Sequence, residues 1–322
     1  MDITVLLLLL GAGALVLPLI GGDDDEDDTS DDGVLRGTPE DDTLEGTSDG
    51  EEIRGFLGDD VINGNGGLDI LRGSGGEDTI TGGDDRDEIY GGADNDELYA
   101  LGGNDTVEGG GGDDFIDAGA GNDIVRGGAG NDTILGNTGT DTLRGEDGDD
   151  DIFLWGEGGI AYGGAGDDEL VMVTGRGELD GVSGTDTYYA FANDDDEQQT
   201  VAIITELGAG DEIVMTIDTS DPDALDADLQ VTVTEGTING INGYNIEVSF
   251  LNPEDEPGLG ETFETARVFV YGRSVPIDTV LESIKVDVTL NAGLSAEDAQ
   301  TTFDAVKAGA AAPVAAMSPT AP

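Results

Sequence analysis

Aspartate recurs in this chain at nine-residue intervals. Asp42, Asp60, Asp69, Asp78, Asp87, Asp96, Asp105, Asp114, Asp123, Asp132, Asp141, Asp150, Asp168 and Asp186 share one phase of a nine-residue ruler set at Gly37. The chemistry open to them is narrow. The chain has no Cys and no His, which excludes disulfides, thiolate nucleophiles, His-based triads and the N/S ligands favoured by zinc and copper. What remains is oxygen, the ligand of hard cations such as Ca²⁺ or Mg²⁺. Carboxylate pairs of the glycosidase kind carry no information against a background of 73 Asp and Glu. No residue is singled out as catalytic.

Those 73 acids face only 11 Lys and Arg, leaving a formal net charge of −62. Self-repulsion of this size works against a compact state and would ordinarily indicate disorder. Regular spacing argues otherwise, because regularly placed acids can be neutralised by metal. Nucleic acid and anionic membrane surfaces are excluded as partners on charge, since affinity for either comes from Lys and Arg. Divalent cations are the natural counter-ions.

The elements that must position these aspartates are legible in the same ruler. It runs without insertion or deletion from Gly37 through Tyr189, which is 17 units, and its eighth position is apolar or aromatic in every one, from Leu44 to Tyr188. The sixth position is Asp in 14 of the 17, the departures being Glu51, Gly159 and Gly177. Three residues centred on the eighth position make a minimal strand, with the middle side chain facing in. The glycine-rich hexapeptide before it must reverse the chain through conformations that Gly, Asn and Asp tolerate. One small aliphatic side chain per nine residues is too thin a core to offset chain entropy unaided.

Units such as Gly127-Gly128-Ala129-Gly130-Asn131-Asp132-Thr133-Ile134-Leu135 and Gly163-Gly164-Ala165-Gly166-Asp167-Asp168-Glu169-Leu170-Val171 match the pattern G-G-x-G-x-D-x-U-x. The chain therefore resembles the RTX (repeats-in-toxin, haemolysin-type calcium-binding) family over residues 37–189. The resemblance implies an all-β fold, a right-handed parallel β-roll of 17 nonapeptide repeats in which two units complete one coil. It implies Ca²⁺ between turns of the same edge, held by the sixth-position carboxylates and by backbone carbonyls near Gly109, Gly112, Gly127, Gly130, Gly163 and Gly166. Same-edge turns lie 18 residues apart. One edge then runs unbroken from Asp42 to Asp186, while all three departures from Asp fall on the other, so a fully loaded and a partly loaded edge are expected, with up to about twelve ions. Glu40, Asp94, Asp84-Asp85 and Leu154-Trp155-Gly156-Glu157 weaken individual copies. The resemblance also implies folding coupled to metal binding and export from a bacterium, by type I secretion, to the medium or cell surface.

Outward ninth positions on one face carry Arg36, Arg54, Arg72, Arg126 and Arg144, with Tyr90, Glu108 and Tyr162 on the rungs between and beyond. They read as charge relief beside acidic turns, or as a groove for an extracellular anionic polysaccharide. The opposite face offers Leu135, Phe153, Val171 and Tyr189 as a docking surface for the next domain.

Ahead of the repeats, residues 1–22 form a hydrophobic anchor or atypical export segment, its apolar run from Ile3 to Ile20 being just long enough to span a bilayer core. No Lys or Arg precedes that run as a cleaved secretory signal requires. Residues 23–36 are an acidic linker and roll cap. After Tyr189 the period is lost, and six short runs between Thr200 and Leu290 read as strands of an antiparallel, sandwich-like domain over 190–290. Within it, Ile203 to Met215 looks like a strand-turn-strand cap over the end of the roll. Ser295 caps a short helix within 291–307, and 308–322 is a disordered tail. The functional expectation is a calcium-binding secreted or cell-surface protein with a structural or adhesive role and no enzymatic activity. The alternatives are a secreted carbohydrate-active enzyme or accessory module with an acidic site in the C-terminal domain, and a surface calcium buffer.

Overall fold

The computed structural model describes residues 14–15, 33–193, 201–219, 228–238, 241–251, 263–271 and 284–290. Among these there is no helix, hence none long and apolar enough to cross a membrane. The strands alternate along the chain between two sheets. Asp42–Glu45, Val61–Asn65 and Thr79–Gly83 begin the first; Val34–Arg36, Glu52–Leu57 and Ile70–Gly75 begin the second. Through the repeats, from Leu44 to Tyr188, neighbouring strands within each sheet are parallel and 18 residues apart, as in Leu44↔Ile62, Ile62↔Ile80 and Val107↔Val125.

Eighth-position side chains therefore stack into two columns facing one another across a narrow interior. Leu44, Ile62, Ile80, Leu98, Ile116, Ile134, Ile152, Leu170 and Tyr188 come from one sheet, and Ile53, Leu71, Ile89, Val107, Val125, Leu143, Ala161 and Leu179 from the other. Period-two alternation sends their neighbours outward. Between strands, the fourth-position glycines let one coil ride directly on the last. Gly130 has φ 129°, and a Cβ there would strike the carbonyl of Gly112 one coil earlier. The second position is also left-handed, and where Phe56, Leu101 or Val182 occupies it the coil carries local strain that the register imposes.

Beyond Tyr189 the structure departs from an antiparallel sandwich. Val201–Ile204 pairs parallel to Arg176–Ser183, and Glu212–Thr219 pairs parallel to Thr187–Asn193. The two sheets thus run on past the last nonapeptide, and the strand-turn-strand from Ile203 to Met215 forms a further coil on the end of the roll. Phe263–Tyr271 and Ile284–Leu290 extend it again, parallel to Val201–Ile204 and to Glu212–Thr219 respectively. Antiparallel pairing is found between Asp228–Ile238, Ile241–Leu251 and Phe263–Tyr271. The reason for the difference is physical: alternating hydrophobicity marks a strand with one buried face and carries no information about its direction.

Leu135, Phe153, Val171 and Tyr189, read from sequence as a docking face, belong to a second apolar cluster with Trp155, Val173 and Val214, in which Phe153 and Val171 are fully buried. Of the apolar run from Ile3 to Ile20, Ala14–Leu15 forms a strand against Asp42-Thr43. The rest of that run, the acidic stretch before Gly33, the helix from Ser295 and the tail from Ala308 lie outside the described residues.

Candidate metal centre

Every turn that carries an aspartate at its sixth position turns that residue inward, and the aspartates from Asp42 to Asp186 are only 0–4 % exposed. They form two columns, one along each edge of the roll. On the first, the backbone N–H of Asp42 donates to Oδ1 of Asp60 at 2.8 Å and that of Asp60 to Asp78 at 2.8 Å, a pattern that continues through Asp96, Asp114, Asp132, Asp150 and Asp168 to Asp186. On the second, Glu51 donates to Asp69, and the series runs through Asp87, Asp105 and Asp123 to Asp141. One oxygen of each carboxylate is thereby committed to the neighbouring coil.

The other oxygen is bare. Oδ2 of Asp60, Asp69, Asp78, Asp87, Asp96, Asp105, Asp114, Asp123, Asp132, Asp141, Asp150 and Asp168 is buried with no hydrogen-bond donor. On the first edge it points at the first glycine of its own turn. Where a Cβ on Gly55, Gly73, Gly91, Gly109, Gly127 or Gly145 would stand, that oxygen is the nearest atom, and the carbonyl oxygen of the matching glycine one coil on lies 2.7–3.1 Å away. Two acceptors and no donor share one small space, which is costly when empty of partners and suits a hard cation. Among the described residues no three acidic side chains converge on one point, so an ion held here would need carbonyl oxygen to complete its shell. The carbonyls of Gly109, Gly127 and Gly163 face these spaces. Those of Gly112, Gly130 and Gly166 instead face the fourth-position glycine of the following coil.

Electrostatics tell the same story. Burial pushes the carboxyls of Asp78, Asp96, Asp105 and Asp141 up to about 7, those of Asp132 and Asp168 up to about 8, and those of Asp87, Asp114, Asp123, Asp150 and Asp186 up to about 6. The donated backbone N–H offsets part of this for each. For Asp60, Asp78 and Asp132, repulsion from the next carboxylate in the column adds to it. These are groups that neutral pH makes costly to hold ionised without a counter-charge.

The RTX calcium-binding nonapeptide repeat, as a four-copy profile, matches the chain over residues 36–71, 63–98, 72–107, 90–125, 99–134 and 126–157. Residues 36–157 are RTX calcium-binding repeats. No curated protein matches the chain. The RTX match ends where the roll does not: strand pairing carries on through Leu179 and Tyr188 into Ile204 and Ile213.

Not every RTX turn is built alike. At the head of each column the carboxylate is satisfied by its own turn, Asp42 Oδ2 accepting the N–H of Thr38 at 2.5 Å and Glu51 accepting from both the N–H and the hydroxyl of Thr47. At the tail of the second edge the carboxylate is replaced. Gly159 and Gly177 occupy the sixth position, and Leu154 and Met172 occupy the first, fully buried. Side-chain atoms of Leu154 lie 2.7 Å from where a Cβ on Gly159 would stand and 2.6 Å from the equivalent point on Gly177. Glycine-plus-aspartate has become aliphatic-plus-glycine, and an apolar plug fills the volume of the carboxylate.

Two sets of residues were not found by sequence reasoning. Asp211 is buried and its Oδ1 accepts the N–H of Asp186 at 3.1 Å, making it the next member of the first column; it was missed because 25 residues, not 18, separate the two. Its Oδ2 accepts the N–H of Gly208, as Asp42 does from Thr38. The fifth position forms a second ladder of opposite sense: Oδ1 of Asp113, Asn131, Asp149 and Asp167 accepts from the coil that follows. Its signal was the run of Asp and Asn at that phase.

Proposed function

We propose that the chain is a calcium-stapled extracellular scaffold, structural or adhesive in role, whose roll folds when Ca²⁺ enters the aspartate columns. The buried, donorless Oδ2 atoms facing backbone carbonyls carry this reading. The residues that would hold the metal are Asp60, Asp78, Asp96, Asp114, Asp132, Asp150 and Asp168 on one edge and Asp69, Asp87, Asp105, Asp123 and Asp141 on the other, with carbonyls of the first-position glycines. Bound there, the ion supplies positive charge that neither the aliphatic columns nor the scarce Arg and Lys provide. Asp42 and Asp211, satisfied by their own turns, close the first column at either end, and Asp186 joins the column to the coil beyond. A location outside the cell suits this reading, since extracellular calcium modules work at about 10⁻⁴ to 10⁻³ M. For an uncleaved apolar segment over 3–20 to tether such a scaffold to a membrane, Ala14–Leu15 would have to leave its pairing with Asp42-Thr43. Circular dichroism of the purified chain, titrated with Ca²⁺ and then with chelator, tests the proposal: a β-signal that rises with calcium and falls on chelation is expected. A signal complete in chelator at neutral pH sinks it.

A further inference from the structure

Outside the columns, the strongest feature is the line of ninth-position side chains on the second sheet. Strand register sets Arg36, Arg54, Arg72, Tyr90, Glu108, Arg126, Arg144 and Tyr162 on successive rungs. The first part of the line is neutralised internally. Arg54 donates to Glu52 from Nε at 2.8 Å and Nη2 at 2.5 Å, and Arg72 donates to the same carboxylate at 3.0 Å while its guanidinium lies 4.8 Å from the Tyr90 ring centre.

The second part is different. The seventh positions beside Arg126 and Arg144 are Ile124 and Thr142, so no Glu52 equivalent is present. Arg126 has Glu108 opposite it on the preceding rung and meets Glu146 at 3.7 Å with both side chains over 40 % exposed, a contact worth little in water. Arg144 has no carboxylate partner among the described residues, in a chain of 73 acids, and its guanidinium carbon lies over the Tyr162 ring, 4.4 Å from its centre. Ile124 is 44 % exposed on the same face. Two guanidinium groups directly opposite one another repel, and the repulsion is relieved by an anion that accepts from both forks.

We propose that Arg126, Arg144 and Tyr162 form a receptor for the carboxylates of a linear acidic polysaccharide lying along the sheet. The proposal rests on the scaffold reading above, because only the folded roll brings these rungs into line. The face is flat, so a lone small anion gains two charge contacts and nothing else. A chain with a carboxylate on successive sugars also gains the aromatic surface of Tyr162, the apolar surface of Ile124 and the advantage of linked contacts.

The test uses the full chain in excess Ca²⁺, a fluorescent short oligo-uronate and a neutral oligo-glucan of equal length, with anisotropy and circular dichroism read on the same samples. Arg126→Gln/Arg144→Gln is expected to lower oligo-uronate affinity about tenfold or more with the β-signal unchanged. Tyr162→Ala is expected to weaken it less, and Arg54→Gln/Arg72→Gln to leave it within about twofold. Equal binding of the neutral glucan overturns the proposal. So does undiminished binding by the Arg126/Arg144 variant, which would indicate calcium bridging along the acidic edges. Self-association abolished by that variant, without oligo-uronate binding, overturns it in favour of a second copy of the chain. A calcium-induced β-signal with no sugar binding sinks this receptor alone, whereas no calcium-induced signal sinks the scaffold reading beneath it.

Discussion

A carboxylate with one oxygen bonded to a neighbouring coil and the other left bare has two ways to become comfortable, a proton or a cation. Asp132→Asn removes the need for either while keeping the Oδ1 acceptor for the N–H of Asp114. We expect it to weaken calcium binding at the adjoining turns by about 1–2 kcal/mol, roughly five- to thirtyfold, read by isothermal titration; an unchanged isotherm would remove Asp132 from the ligand set. The glycines facing the carboxylates allow a sharper comparison. A Cβ on Gly127 meets Asp132 Oδ2 and the Gly145 carbonyl at once, whereas on the second edge Oδ2 of Asp141 stands 3.1 Å from a Cβ on Gly136. Gly136 is the roomiest first-position glycine of that edge, where Gly64 and Gly82 have a carboxylate oxygen at 2.5 and 2.6 Å, and Ala100 and Ala118 already occupy the first position of two other turns there. Gly127→Ala should therefore cost about 1–3 kcal/mol and Gly136→Ala about 0.5 kcal/mol or less, measured by urea denaturation in saturating calcium. Equal costs would mean that the two turns do not differ in room.

The turn is the element that decides between metal and apolar filling, and it does so by exchanging two positions together. Gly159→Asp alone drives a carboxylate into Leu154 and should destabilise. Paired with Leu154→Gly, it recreates the arrangement of the neighbouring turn at Gly136 and Asp141. Native mass spectrometry in calcium should then count one more bound ion than in the parent chain; an unchanged count would show that the sixth-position carboxylate does not make a site. Where the sequence predicts unloaded turns on the second edge, the structure places the Leu154 side chain against the positions that lack a carboxylate. The plug residues Leu154 and Met172 join the interior columns, while a separate cluster of Phe153, Trp155, Val171 and Val173 forms beside them, its Phe153 and Trp155 rings stacked at 6.0 Å. The C-terminal coils thus hold hydrophobic surface where the earlier coils hold charge.

For the molecule as a whole, the raised carboxyls make a statement about pH. In the columns from Asp78 to Asp186 their folded-state values lie near 6 to 8, above the ordinary value of 3.8, so the metal-free roll binds more protons than the unfolded chain between these limits. Protonation therefore stabilises it: the contribution is complete below about pH 4 and is lost as pH rises through 6 to 8. In chelator, the β-signal should appear on acidification toward pH 4 and vanish by pH 8, while saturating calcium should hold it at both. About 1 M salt, which shortens the screening length to about 3 Å, should not restore the metal-free roll at pH 8. Restoration would mean that surface repulsion, not the burial of bare carboxylates, keeps it open.

Much of this architecture could be read along the chain, because a strict nine-residue period converts position into place. The phase of Asp42 to Asp186, the facing columns of Leu44 and Ile53, the sorting into two edges and the rungs from Arg36 to Tyr162 all follow from counting. What counting could not supply is whatever depends on neighbours distant in the chain or on space. Asp211 joins its column across an insertion that the ruler does not cross, and strand direction after Tyr189 is not encoded by alternation. The bare Oδ2 atoms, the self-satisfied turns of Thr38 and Thr47 and the Leu154 plug exist only once coils are stacked. Each is a matter of which atom fills a volume between chains about 4.8 Å apart, and no linear spacing encodes that.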